Sequence, residues 1–448
     1  MNIIDQTFIQ IKKKFGGLTI VSRNKTPLII LCLTISVLLV YHSVFSHQFQ
    51  LKWDDQWVIT NFYTENGLTA NNLYAIFTDF FHGQYSPINQ LSFTLIYAAA
   101  GNSYNPVWFH TYSVIMHILN VVLVYFFIKN LLTQSKSFAP PSISTISFCT
   151  AFIMAIHPFL VEPVAWMAAS KILLYSFFYL LALNVYLSYL KSRKVWHLVL
   201  IFVLFLLSFG SKEQAVTLPE CLLLIDYLLK RNLKTKAPWI EKAPFFILSL
   251  VFGYVTLLSQ KSSGLGLLTH DKHYPFYQNV IFGSYSLVEY FTKCLIPIKL
   301  SFMYNFPNPV GSPVPARFWI YPFILLIVFV TLRDYWKNRW ILFGLAFFII
   351  HLAVVLHIIP ISRMAIVADR YAYIASIGIF FLISYYLDRA IRSVKYKNVS
   401  ILVFSIYIGY LGFYTTEHAR VWHDDYTLKK ELFESIKQRQ ALQKAEKK

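Results

Sequence analysis

Long apolar runs, each near the ~20 residues needed to cross a bilayer as a helix, recur along this chain with short basic clusters between them. That alternation constrains the fold more than any motif does. Within a bilayer only helices and closed barrels satisfy their backbone groups, and barrel strands would show as short alternating segments. These runs are continuous, so the sequence predicts an all-α polytopic integral membrane protein. Composition agrees, with 56% hydrophobic residues, 18% aromatic and only 14% charged.

The net charge of +19 does not imply a nucleic-acid partner, because the Lys and Arg residues fall between apolar runs as the positive-inside rule expects. The charge reports topology. Residues 1–26 carry Lys12, Lys13, Lys14, Arg23 and Lys25 and read as a cytoplasmic N-terminus before an uncleaved first span at 27–46. Further spans are expected at 106–132, 144–156, 162–191, 196–209, from 211–214 down to Lys230, and at 244–258, 318–332, 340–358, 372–387 and 399–415. This makes about 11 transmembrane helices, with the tail 416–448 on the outer face. Two long outer loops remain, 51–105 and 260–317. In the first, Leu73, Ile76, Phe77, Phe80 and Phe81 form the stripe of an interfacial helix, and Ile88, Leu91, Leu95 and Ile96 begin another. In the second, the apolar segment 277–298 carries Glu289 and Lys293 and reads as interfacial or re-entrant. Cys32, Cys149, Cys221 and Cys294 lie in apolar segments without metal-ligand spacing, so neither a disulfide framework nor a zinc site is expected.

Under this topology one face collects Asp54, Asp55, Asp79, His82, His157, Glu162, Lys171, Lys212, Glu213, Asp369 and Arg370. Ionisable groups at membrane depth are costly, so a group of them facing one pocket marks a functional site. A carboxylate can act as general base toward a hydroxyl, while Lys and Arg stabilise charge on a departing phosphate. Arg370 suits phosphate through its planar fork; Lys212 and Lys171 act as point charges. Each motif alone also has a structural use. An Asp-Asp pair caps turns, His157-Pro158 ends a helix, Lys212-Glu213 and Asp369-Arg370 form local ion pairs, and Trp53, Trp57 and Trp166 anchor at the interface.

Taken in order, these motifs resemble the membrane core of the transmembrane and tetratricopeptide-repeat O-mannosyltransferases, members of the C superfamily (GT-C) of polyprenyl-phosphate-sugar-dependent glycosyltransferases. The resemblance rests on Trp53-Asp54-Asp55 with Ile59 and Asn61, and on Asp79-Phe80 through Gly83. It continues through Tyr85 with Pro87, His157-Pro158 with Glu162-Pro163-Val164-Ala165, Ser211-Lys212-Glu213-Gln214, and Asp369-Arg370 with Tyr373, Ser376 and Gly378. It implies a GT-C-like transmembrane catalytic domain over 27–415 and a polyprenyl-phosphate sugar as donor substrate, with inversion at the anomeric carbon. Asp54 or Asp55 would be the base, Asp54 first, because superfamily members often place the base first in such a pair. Lys212, Arg370 and Lys171 would hold the donor phosphate, and His157, Glu162, Glu213, Asp79, Tyr85 and Asp369 would shape the pocket. Two departures stand out: Ser86 replaces the family's frequent Arg, and Ser170-Lys171-Ile172 is a reduced form of a basic-acidic group. The tetratricopeptide array is missing from 416–448.

The expected function is transfer of a sugar, with mannose as the family's example, to a hydroxyl of a protein, glycan or lipid at the outer face. The residues themselves specify no cofactor, and dependence on a divalent metal is not readable from them. The rival classes are a transporter or lipid flippase, which favours inverted repeats and mid-membrane charges, and an inactive scaffold. Charges at span ends favour the enzyme. Asn24 and Asn398 carry the Asn-x-Ser/Thr pattern but fall on the cytoplasmic side, and without a repeat domain the setting leans to a bacterial inner membrane with the site facing the periplasm.

Overall fold

The computed structural model describes residues 25–264, 273–301, 303–358 and 365–434. The basic segment 1–24 and the end of the tail, 435–448, lie outside the described residues. Within the described residues every regular element is helical, and the strand pairing consists of isolated bridges, Phe81 with Gln84 and Tyr304 with Val367.

A first helix, α1 (Thr26–Val40), leads into the long loop, which carries four short helices: α2 (Asp55–Val58), α3 (Phe62–Glu65), α4 (Ala70–Thr78) and α5 (Pro87–Ala99). The bundle follows with α6 (Pro106–Ser135), α7 (Pro140–Ile156), the short α8 (Val161–Ala165), α9 (Lys171–Ser192), α10 (Val195–Phe209), α11 (Leu218–Leu228) and α12 (Ala237–Ser262). Then come α13 (Phe276–Leu295), α14 (Ile320–Thr331), α15 (Arg339–Leu352), α16 (Ala372–Arg392) and α17 (Lys397–Arg420). Proline opens many of them. It stands in the first turn of α1, α5, α6, α7, α11 and α12, where its missing N–H has no intrahelical partner to lose.

Among the described residues, five segments are long and apolar enough to cross a membrane: Pro106–Ser135, Met167–Ser192, Ala237–Ser262, Asp369–Arg392 and Lys397–Arg420. Pro140–Ile156 and Pro158–Ala165 make a further crossing if they count as one span, bent by 62°. Their faces divide by solvent. The 237–262 and 397–420 helices bury only 11% of their apolar window inside the protein, and α14 buries none of its residues. Leu250 and Phe413 are 77% and 71% exposed. Apolar faces of this extent need lipid rather than water around them.

The centre is packed by α6, α7, α9 and α16, which bury Phe109, Phe127, Met154, Tyr179, Tyr186 and Phe380 completely. Two glycines let α15 and α16 close up. A β-carbon at Gly378 would collide with the Gly344 carbonyl oxygen, and one at Gly344 would come to 2.8 Å from the Gly378 carbonyl. Small residues at such crossings are how helices approach in lipid, where apolar burial supplies little drive.

Three expectations are corrected. The stripe expected over 73–81 stops early, because α4 ends at Thr78 and Phe80 and Phe81 lie in the turn closed by the Phe81–Gln84 bridge. The span expected from Glu162 begins instead at Met167, since His157-Pro158 breaks the preceding helix and sets Glu162 on the bent α8. The helix descending to Lys230, α11, has only 11 residues, because 213–217 forms a separate 3-10 turn. The segment expected at 277–298 forms α13, which turns Ile281, Phe282, Tyr290 and Cys294 inward.

Candidate active site

Asp54 and Asp55 stand at the start of α2, and burial gives them different surroundings. Asp55 is fully buried. Its Oδ2 accepts the Gln50 N–H at 2.8 Å and its Oδ1 the Ala168 N–H at 2.8 Å, so the carboxylate ties the loop to the segment before α9. Burial pushes its pKa up to about 7; the two N–H bonds oppose this, and the charges of Asp54 and Asp425 add to it. Asp54 is half-buried, and its Oδ1 accepts the indole N–H of Trp57 at 3.3 Å. Trp57 stacks in turn on His82, with ring centroids 4.7 Å apart.

Lys171, at the start of α9, is buried and donates to Gln84 Oε1 on the loop. The charges that act on it are Lys212, Glu213, Arg370 and Asp54. Residues from distant stretches therefore lie within electrostatic range of one side chain. Lys212 is buried and pairs with Glu213 at 2.8 Å, and the neighbouring Gln214 is buried with both side-chain amide atoms lacking a hydrogen bond among the described residues. The Arg370 N–H donates to Glu162 Oε2 at 2.7 Å and its guanidinium to Glu162 Oε1. That guanidinium lies 5.4 Å from the Trp166 ring and 4.9 Å from the Tyr371 ring, and its side chain keeps 24% of its surface exposed. This is a held cation with an open edge.

Asp369 is buried beside Glu162, Lys293, Tyr304 and Arg370, and its Oδ1 has no hydrogen-bond partner among the described residues. His157 is fully buried, caps the next turn by accepting the Phe159 N–H at 3.2 Å, and lies 4.7 Å from the Phe380 ring. Asp79 accepts the Tyr63 hydroxyl at 2.9 Å and the Thr78 hydroxyl at 3.2 Å, while the Tyr85 hydroxyl donates to the Phe77 carbonyl at 2.9 Å. Asp79 and Lys171 both line a small cleft of about 40 Å³ whose other walls include Trp57, Tyr63, Gln84 and Asn89.

The structure thus sets Asp54, Lys212, Glu213 and Arg370 within electrostatic range of Lys171, with Glu162 bonded to Arg370. It sets His157 deeper, as a helix cap. Sequence reading missed Gln84, which carried no signal, and Trp422, which sits at the head of the tail and is almost fully buried. No group of three or more His, Cys, Asp or Glu side chains among the described residues is placed to hold a metal ion. All four cysteines are free thiols.

Fold and hydropathy together define the class: an α-helical membrane protein, with a polar cluster gathered beneath its first long loop. Set against known protein families and curated proteins, the chain matches no family model and no curated relative.

Proposed function

We propose that the protein is a membrane glycosyltransferase that moves a sugar, mannose being the first candidate, from a polyprenyl-phosphate carrier to a hydroxyl of a protein, glycan or lipid. The observation that carries this reading is that Lys212, Arg370 and the half-buried carboxylate Asp54 all lie within electrostatic range of the Lys171 side chain. Basic side chains gathered in this way suit a phosphate, and the Arg370 fork can donate two parallel bonds to it.

In this reading Asp54 is the general base. Its carboxylate takes the proton of the acceptor hydroxyl, whose oxygen forms a bond to C1 of the sugar from the face opposite the phosphate. The bond from C1 to the phosphate oxygen breaks, and its electron pair leaves with the polyprenyl phosphate, so configuration inverts. Lys171, Lys212 and Arg370 stabilise the negative charge that grows there. A phosphate leaves without protonation, so one carboxylate suffices. Asp55, with both oxygens held by backbone N–H groups, fixes the loop that presents Asp54.

The reading includes a GT-C-like bundle of about 11 spans, with the shorter apolar helices completing the crossings. It also places the site at the outer face, in a bacterial inner membrane facing the periplasm. The test is label transfer from a panel of polyprenyl-phosphate sugars in membranes that contain the wild-type chain. Label reaching protein or glycan supports the transferase. Binding of the lipid carrier without transfer from any donor moves the assignment to a flippase or scaffold.

A further inference from the structure

The second outer loop carries a helix, α13, that the proposed reaction does not use, and one of its cations is turned inward. We infer that Lys293 is a positioning residue of the phosphate site: it offsets the charge of Asp369 and so leaves Arg370 to bond the phosphate. This rests on the phosphate-binding reading of the same site.

Register gives the first argument. Gly283, Ser286, Tyr290 and Lys293 follow one another at spacings of three and four, which puts them on one face of α13. That face is fixed against the stretch leading to Arg370. A β-carbon at Gly283 would come to 2.5 Å from the Leu356 carbonyl oxygen, so the helix backbone lies close to the chain there. The Ser286 hydroxyl donates to the Ile366 carbonyl at 2.8 Å. The Tyr290 hydroxyl accepts the Ala368 N–H at 3.0 Å and donates to the Ala368 carbonyl at 3.3 Å. Lys293 comes next on the face, as Asp369 comes next in the stretch, and the two lie within electrostatic range of each other.

Burial gives the second. Lys293 is 6% exposed, so its ammonium has lost most of its water. Its contacts are long: Glu289 at 3.7 Å, the Ile298 and Lys299 carbonyls at 3.4 Å each, and the Tyr304 ring centroid at 4.9 Å. None is a close charge-assisted bond. Asp369 is equally enclosed, and its Oδ1 is unpaired among the described residues. Buried charges of opposite sign compensate each other, and removing one leaves the other exposed to the full cost of burial.

Charge gives the third. As ionised groups, Glu162, Asp369 and Arg370 carry one net negative charge, and Glu162 already bonds Arg370. With no further cation, that group would repel a phosphate. Lys293 brings it to neutrality from the side of Asp369, and the open edge of the Arg370 guanidinium then remains for a phosphate oxygen.

The experiment measures, on the purified full chain in nanodiscs, how much more tightly undecaprenyl phosphate binds than the neutral alcohol undecaprenol. Wild type is expected to prefer the phosphate. Lys293→Gln, which removes the charge but keeps a donor for the Ile298 and Lys299 carbonyls, is expected to reduce that preference about tenfold, with alcohol binding retained to within about twofold. Lys293→Gln combined with Asp369→Asn restores the charge balance and is expected to recover the preference to within about threefold of wild type. Lys299→Gln removes an exposed charge nearby and is expected to leave the preference unchanged. Melting temperatures show which variants are folded. Should Lys293→Gln not fold, Lys293→Arg is read instead, and it is expected to keep the preference to within about threefold. The role of Lys293 is overturned by a folded Lys293→Gln with the wild-type preference, by equal losses for phosphate and alcohol, or by a folded double variant without recovery. A loss in Lys299→Gln as large as that in Lys293→Gln, or an about tenfold loss in folded Lys293→Arg, overturns it as well. A wild type that binds undecaprenol as tightly as undecaprenyl phosphate overturns the phosphate reading itself.

Discussion

Trp422 lies on Trp166, with ring centroids 5.4 Å apart and planes 18° from parallel, and the Arg370 guanidinium is 5.4 Å from that same Trp166 ring. The segment around Trp422 also holds the stretch that precedes Asp54. Gln48 N–H donates to the His423 carbonyl at 2.8 Å, Gln50 Nε2 to the Trp422 carbonyl at 2.9 Å, and Lys52 N–H to the Asp425 carboxylate at 3.1 Å. One brace therefore supports both the proposed base and the proposed phosphate cation. It lies at the far end of the chain from the loop it holds.

Trp422→Ala removes a fully packed aromatic at that brace. Losses of this type are worth about 3–5 kcal/mol in well-packed cores. The expected outcome is a lower melting temperature, faster proteolysis after Arg420 and weaker binding of a polyprenyl phosphate, with Trp422→Phe recovering most of each. Unchanged proteolysis and lipid binding in Trp422→Ala would show that the tail does not support the site.

Asp55 makes stability depend on pH. Its folded-state pKa of about 7 stands above the ordinary 3.8, so the neutral form is favoured in the folded chain. The stability it contributes is therefore fully present below about 4 and is lost as pH rises through about 7. Melting curves from pH 4 to pH 8 are expected to show this loss in wild type and to flatten in Asp55→Asn. The variant also sets an amide N–H against a backbone N–H, which costs about 1–3 kcal/mol at every pH. The difference between the two profiles isolates Asp55, and identical slopes would contradict its role.

Arg370 bonds Glu162 through its backbone N–H and one guanidinium nitrogen, and a phosphate gripped by two parallel guanidinium bonds is a geometry that lysine cannot copy. Arg370→Lys is expected to lower polyprenyl-phosphate binding about as much as Arg370→Ala, despite keeping the charge. Glu162→Gln is expected to weaken binding less, because it loosens the fork without removing it. Isothermal titration with undecaprenyl phosphate distinguishes these outcomes, and Arg370→Lys at wild-type affinity would rule out bidentate contact.

The Gly344–Gly378 crossing is expected to tolerate no side chain. Overpacking typically costs about 1–3 kcal/mol, and here the obstacle is backbone oxygen rather than a movable side chain. Gly378→Leu is expected to lower the yield of folded protein in detergent, whereas Ser376→Ala, which removes a hydroxyl bonded to the Tyr373 carbonyl of its own helix, is expected to fold normally.

Much of this was legible because lipid forces a simple code. Apolar runs and basic clusters placed most helices near their observed positions, although α7 begins at Pro140 and α12 at Ala237, ahead of the expected starts. The failures share one cause. Periodicity counts apolar residues without registering the turn that ends a helix, so Phe80 and Phe81 were read into α4 although the chain turns at Asp79. Composition likewise treated Glu162 as the start of a span, where the His157-Pro158 break sets it on a separate helix. Within the site, Asp54 and Asp55 were indistinguishable as neighbouring letters. Their environments separate them, because Asp55 meets N–H groups of Gln50 and Ala168 while Asp54 meets the Trp57 indole. Contacts such as Lys171 with Gln84 and Trp166 with Trp422 join positions far apart in sequence, and a single chain carries no local signal for them.

The most direct measurement is sugar transfer by Asp54→Asn, compared with wild type at matched melting temperature and with lipid binding measured on the same preparations. Loss of a positioned general base removes about 10²–10⁴ in rate. The expected result is transfer reduced at least 10²-fold with binding of the donor lipid retained. Transfer by folded Asp54→Asn at the wild-type rate would contradict the assignment of Asp54 as the base.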